Sequence, residues 1–283
     1  MKYYTQSVLN ELIIKINILN CSLKNCDSTK ISKIVKDILN TPPITLFQNS
    51  EFAKYDELNN PDVFFGRVRR VNNEKIDIIK NVDQFWMLPP DKVKEYGRLN
   101  KKNESVLYTS HNSSLVPIAE VGAKVGDTIL IIMYERIKNN TIILEKLAVN
   151  NNQLIKLDNF VSKINNIKFN FMKEWLTKKG DHFDSNILYE ITNVIKEHFI
   201  HNKGKIDGLI YPTVTGDNTT YNIAFFNSVR NKKIRISYAY YGKLVKSEKN
   251  RIVIESFKYF SKIEGSKVIW NTNDNPKLHC FYL

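Results

Sequence analysis

The order of hydropathy patterns along this 283-residue chain predicts an α+β fold, with helices and strands grouped in blocks and not alternating as βαβ units. Three observations carry that reading. Two helical periodicities fall before residue 60, a block rich in β-branched and aromatic residues runs from Val63 to Val149, and a second helical block is followed by strands from Asp207 onward.

The first helix is marked by Val8, Leu9, Leu12, Ile13 and Ile16 on one face. The second has Ile31, Ile34, Val35, Ile38 and Leu39 at i, i+3, i+4, i+7, i+8 spacing, with Ser28 or Thr29 as N-cap and Thr41-Pro42-Pro43 as the stop. After the polar stretch at Asn59, Asn60 and Pro61, four short strands are expected: Val63 to Val71, Ser105 to Ser110, Thr128 to Ile137 and Thr141 to Val149. Asn139-Asn140 reads as a hairpin turn between the last two. Leu157 to Leu176 reads as partly helical, and Ile187, Leu188, Ile191, Val194, Ile195 and Phe199 mark a helix capped by Asp184 or Ser185. The closing strands are Gly208 to Pro212, Tyr221 to Phe226 and Ile234 to Tyr241, separated by Gly216-Asp217-Asn218 and by a turn from Arg230 to Lys233.

Composition narrows the function classes. With 42% hydrophobic and 11% aromatic residues the chain can bury a sizeable core. Its 42 Lys and Arg against 29 Asp and Glu leave +13, which suits an anionic partner. Lys, Asn and Ile are however used heavily throughout, as in Lys163 to Lys168 and Asn150 to Asn152, so the charge reads as compositional bias more than as a basic stripe. The lack of aromatic residues interleaved in a basic run argues against a nucleic-acid partner. Cys21, Cys26 and Cys280 form no CxxC pair, and His182, His198, His201 and His279 have no metal-ligand spacing, so no metal is expected. Glu11, Lys15 and Asn17 interrupt the first apolar stretch, which fits neither a signal peptide nor a membrane span; the expected location is a reducing cytoplasm.

The chemistry-bearing stretch runs through Phe64-Phe65-Gly66-Arg67-Val68-Arg69, Trp86-Met87-Leu88-Pro89-Pro90, Gly97-Arg98-Leu99-Asn100, Ser105-Val106-Leu107-Tyr108-Thr109-Ser110 and Ala119-Glu120-Val121. An Arg follows a glycine turn, a Tyr lies on a strand ten positions later, and a Glu sits on a following segment. Glu120 lies between Ile118, Ala119 and Val121, where a carboxylate facing the core is costly unless paired or functional. No GxGxxG turn follows a strand, so a Rossmann site is not supported.

In this order the GRxN turn, the strand containing Tyr108 and the segment ending in Glu120 resemble the RES-domain family. Asp207-Gly208-Leu209-Ile210-Tyr211-Pro212-Thr213 and Tyr221-Asn222-Ile223-Ala224-Phe225-Phe226 resemble that family's last motif block, in which a Ser usually stands where this chain has Thr213. The match covers Val63 to Phe226. The resemblance implies an ADP-ribosyltransferase-like fold over residues 61–283, with a helical N-terminal extension over 1–60 and a helical insertion at about 150–205. It implies an NAD⁺-consuming enzyme that splits the nicotinamide-ribose bond with water or inorganic phosphate as acceptor. An antitoxin or a second copy of the chain would be its protein partner. Transfer of ADP-ribose to a protein is the second reading, and a basic nucleic-acid-binding module the third.

The resemblance also assigns Glu120, Tyr108, Arg98 and Thr213 to catalysis, and Arg98, Tyr108, Arg67, Arg69, Asn100 and Thr213 to dinucleotide binding. The residue types suit the reaction. Nicotinamide leaves as a neutral ring, so the leaving group needs no proton and one carboxylate can suffice. Glu120 would hold the ribose hydroxyls, stabilise the cationic ribose or orient the acceptor. Arg98 would offer a bidentate fork to the pyrophosphate, with Arg67 or Arg69 as a second contact; Tyr108 would stack on nicotinamide or hold its ribose, and Thr213 keeps the hydroxyl.

Overall fold

A computed structural model describes residues 6–23, 28–42, 53–54, 63–71, 79–111, 113, 115–149, 159–179, 185–201, 206–214, 220–248 and 251–282. Helices α1 (Gln6–Ser22) and α2 (Ser28–Leu39) come first, then strands β1 (Ala53–Lys54), β2 (Phe64–Val71) and β3 (Val106–His111). Helix α3 (Leu115–Glu120) precedes β4 (Thr128–Arg136) and β5 (Ile143–Lys146). Helices α4 (Asn159–Thr177) and α5 (Ser185–Ile200) follow. The chain continues through β6 (Gly208–Pro212), β7 (Tyr221–Phe226), β8 (Ile234–Glu248), β9 (Arg251–Glu264) and β10 (Lys267–Tyr282). The class is α+β, and the chain divides into two compact units. One comprises residues 1–54, 90–104 and 143–216; the other comprises 55–89, 105–142 and 217–283.

The first unit is largely helical because its apolar residues recur with a helical period. Leu9, Leu12 and Leu19 of α1 and Ile31, Val35, Ile38 and Leu39 of α2 are buried. They pack with α4, which buries Ile164, Phe171, Met172 and Trp175, and with α5, which buries Leu188, Ile191, Ile195 and Phe199. Ser32 of α2 donates to Glu190 of α5 at 2.9 Å. The two helical segments that the sequence sets apart thus form one packed group. Strand β5 pairs in parallel with β6 and antiparallel with β1. A parallel pair needs a crossover, and α4 and α5 supply it.

The second unit is an antiparallel sheet ordered β7-β3-β2-β4-β8-β9-β10 among the described residues. Side chains alternate between its faces. One face carries Val68, Ile129, Ile131, Met133, Leu244 and Ile254, covered by Ile118 of α3 with Val121 beside it. The other carries Phe65, Tyr134 and Phe225 beneath Phe85 and Trp86. Phe65 meets Phe225 edge-on at 4.9 Å between ring centroids, and Trp86 lies 5.2 Å from Tyr134.

Two expectations are corrected. Asn139-Asn140 does form a turn, with Asn139 at φ +66°, but no hairpin flanks it: β4 pairs with β2 and β8, and β5 with β1 and β6. The last strand does not stop at Tyr241; β8 runs to Glu248, and β9 and β10 extend the sheet further. The Asn59-Asn60-Pro61 and Gly216-Asp217-Asn218 stretches and Asn150 to Asn152 lie outside the described residues.

Candidate active site

Glu120 is the last residue of α3, a six-residue helix whose two ends are both fixed. At its start the Ser113 hydroxyl accepts from the Val116 N–H at 3.2 Å. At its end Gly122 takes φ +62°, with Ala123 N–H donating to Ile118 O and Gly122 N–H to Ala119 O, which is a Schellman closure. A glycine tolerates that left-handed conformation at little cost. Ile118 is 1% exposed and pins the helix to the sheet.

Glu120 does not face the core: its side chain is exposed. It is held all the same, because Asn222 Nδ2 donates to Glu120 Oε1 at 2.6 Å. Asn222 on β7 is buried, and its Oδ1 accepts from Ser110 Oγ on β3 at 2.9 Å. Ser110 and Asn222 are directly cross-strand, and Tyr108 pairs with Ala224 two residues along. Tyr108, Ser110 and Asn222 therefore share a face of the sheet, which is also the face that α3 covers, since Ser110 stands opposite Gly66 and Gly66 opposite Met133. Tyr108 is half-buried there.

Arg67 and Arg69 point the other way. Arg67 stands opposite Ile132 and Arg69 opposite Leu130, on the face away from α3. Arg67 Nη1 donates to the carbonyls of Phe85 at 3.0 Å and Trp86 at 2.8 Å; Arg69 Nη1 donates to Gln84 O at 2.7 Å. Burial holds the Arg69 guanidinium below its usual range, with the Arg67 charge adding to the effect. These two arginines bind the turn over residues 82–86 to the sheet. Both therefore lie on the sheet face opposite the one that carries Tyr108.

Arg98, Asn100 and Thr213 belong to the first unit. The Gly97 N–H donates to Asn100 O at 2.9 Å and closes the GRxN turn. Asn193 of α5 fastens it by donating to Gly97 O at 2.9 Å and Asn100 O at 3.2 Å. Arg98 Nη1 donates to Trp175 O at 3.4 Å and to Leu176 O, and its Nη2 to Lys178 O at 3.0 Å. Asn100 donates to Lys101 O at 3.1 Å and Glu95 O at 3.4 Å, so it shapes its own turn. Thr213, just beyond β6, is buried at 1% exposure.

Ser110 and Asn222 are the two residues that the sequence expectation leaves out of the site. Their signal was present: a hydroxyl and an amide at core positions of otherwise apolar strands are costly unless hydrogen-bonded. A cavity of about 650 Å³ in the first unit is lined by Lys36, Asn40, Glu104, Lys196, His198 and His201 among others. It contains none of the nominated residues. Among the described residues no group of three His, Cys, Asp or Glu is placed to hold a metal ion, and no helix is long and apolar enough to cross a membrane. No family model and no curated protein matches the chain.

Proposed function

We propose that the chain consumes NAD⁺ by cleaving the nicotinamide-ribose bond, and that its antiparallel-sheet unit is the catalytic part of a RES-like, ADP-ribosyltransferase-like fold. The observation that carries the reading is an exposed carboxylate, Glu120, fixed by Asn222 on the sheet face that also carries Tyr108. In the proposed step the C1′–N1 bond breaks and its electron pair neutralises the pyridinium nitrogen, so nicotinamide leaves uncharged. Water adds at that same carbon and gives up one proton to solvent, forming ADP-ribose; with inorganic phosphate the product is ADP-ribose phosphorylated at that carbon. Glu120 places negative charge where the ribose becomes cationic, and a fixed charge needs no reorganisation as the transition state forms. Tyr108 supplies an aromatic face for the nicotinamide or its ribose. Arg98 and Thr213 enter through the resemblance alone.

Purified protein incubated with NAD⁺, with and without phosphate, should release nicotinamide; silence under both conditions refutes the reading. Glu120→Gln should lower turnover by about 100-fold or more while leaving the melting temperature unchanged, since an exposed carboxamide replaces an exposed carboxylate. An unchanged rate removes Glu120 from the mechanism. Label from adenine-labelled NAD⁺ recovered on a polypeptide would identify a protein acceptor and convert the hydrolase into a transferase. A toxin with a cognate antitoxin is the biological setting the resemblance suggests.

A further inference from the structure

We infer that Asn222 is the positioning residue of the reaction, with Ser110 as the anchor of its Oδ1 end; the inference rests on the NAD⁺ reading and deepens it. A carboxylate on an exposed helix end has several rotamers, and transition-state stabilisation needs one of them. Asn222 is 2% exposed, and its backbone is fixed by pairing with β3. Its amide has two ends of opposite polarity, and only the Nδ2 end attracts a carboxylate. Glu120, which can only accept, selects the Nδ2 end, which donates to its Oε1 at 2.6 Å, and the Ser110 hydroxyl, able to donate or accept, then donates to the remaining Oδ1 at 2.9 Å. A flipped amide would put a carbonyl oxygen against the carboxylate and leave Nδ2 facing the Ser110 oxygen. The buried pair thus transmits the rigidity of the sheet to one oxygen of an exposed catalytic side chain.

The test measures nicotinamide release by the wild type, Asn222→Ala, Asn222→Asp and Ser110→Ala, with kcat and KM for NAD⁺ separated and the pH profile recorded. Asn222→Ala should lose about 100-fold in kcat with KM held within about threefold, because the lost orientation is needed in the transition state and not for binding. Ser110→Ala should lose about tenfold, as the buried amide then lacks the bond that anchors its Oδ1 end. Asn222→Asp has the same shape but sets a second carboxylate against Glu120. The two would share a proton, and the acid limb of kcat should move up by about one pH unit or more. Should Asn222→Ala fail to fold, the isosteric Asp variant and Ser110→Ala still decide the matter. An active wild type with Asn222→Ala within about twofold of it overturns the positioning role and leaves the NAD⁺ reading standing. So does an Asp variant that is slower with an unmoved acid limb. A wild type that releases no nicotinamide overturns the reading, and the positioning role with it.

Discussion

Arg98 shows why loss of activity in a variant needs a stability measurement beside it. Its guanidinium donates to three carbonyls at the carboxyl end of α4, those of Trp175, Leu176 and Lys178. The last carbonyls of a helix as a rule lack intrahelical donors, and a cation there also offsets the negative end of the helix dipole. Arg98→Met removes all three bonds and should destabilise the protein by about 1–3 kcal/mol, read as a lowered denaturation midpoint. A midpoint equal to the wild type's would show that the carbonyls are satisfied without it. The sequence marks Arg98 as the residue of a glycine turn. The hydrogen bonds to residues 175–178 were not legible because they join positions nearly eighty apart, and pattern reading sees only neighbours. The setting of Arg67 and Arg69 was hidden for a related reason. Alternation puts both on one face of β2, but only the register against β4 says that it is the face opposite α3.

At the scale of elements, α3 and β2 are joined by a close approach that fixes where Glu120 stands. A Cβ added to Gly66 would lie 2.4 Å from the carbonyl oxygen of Ser113, which is backbone and cannot rotate away. Ser113 in turn accepts from Val116 N–H, so moving it disturbs the start of the helix that ends in Glu120. Gly66→Ala should cost about 1–3 kcal/mol and lower nicotinamide release beyond what the loss of folded protein explains. A variant with normal stability and rate would mean that the segment relaxes freely. The long helices were legible because each keeps a helical period, and the strands from Phe64 to Tyr241 because runs rich in β-branched and aromatic residues are bounded by turn residues; the two-residue β1 was not expected. Strand β9 was not. Ile252, Val253 and Ile254 are buried on both faces, whereas Ser261 to Glu264 are exposed on both, so neither half alternates. A register shift against β8 that leaves Phe257 without a cross-strand pair breaks the period of β9 further. Pro276 and its Asn and Asp neighbours give β10 a turn-like composition, which an edge strand with a register shift between Thr272 and Lys277 can carry.

For the molecule as a whole, the balance of bound protons sets how stability varies with pH, and between neutral and mildly alkaline pH a buried lysine contributes to it. Lys168 is fully buried on α4, where its ammonium donates to Leu39 O at 3.0 Å and to Thr41 O at the carboxyl end of α2. Burial, with the Lys15 charge nearby, lowers it to about 8 from an ordinary 10.5. Between those values the unfolded chain holds more protons than the folded one, so stability rises with pH across that window. Keeping the ammonium charged below it costs about 3 kcal/mol. Burial lowers Lys196 as well, which adds a rise of the same sign, and removing charge from a chain at +13 relieves repulsion. Tyr134, Tyr238 and Tyr240 are raised by burial; the folded state keeps their protons longer, so the gain is lost again as pH climbs past the ordinary tyrosine range. The urea midpoint should therefore be higher at pH 9 than at pH 7, and fall beyond about pH 10. Lys168→Met should flatten the rise between pH 7 and 9, because an uncharged side chain has no proton to release on folding. A wild-type midpoint that is level or falling from pH 7 to 9 would show that Lys168 keeps its proton in the folded state. An unflattened rise in the variant would assign the effect to other groups.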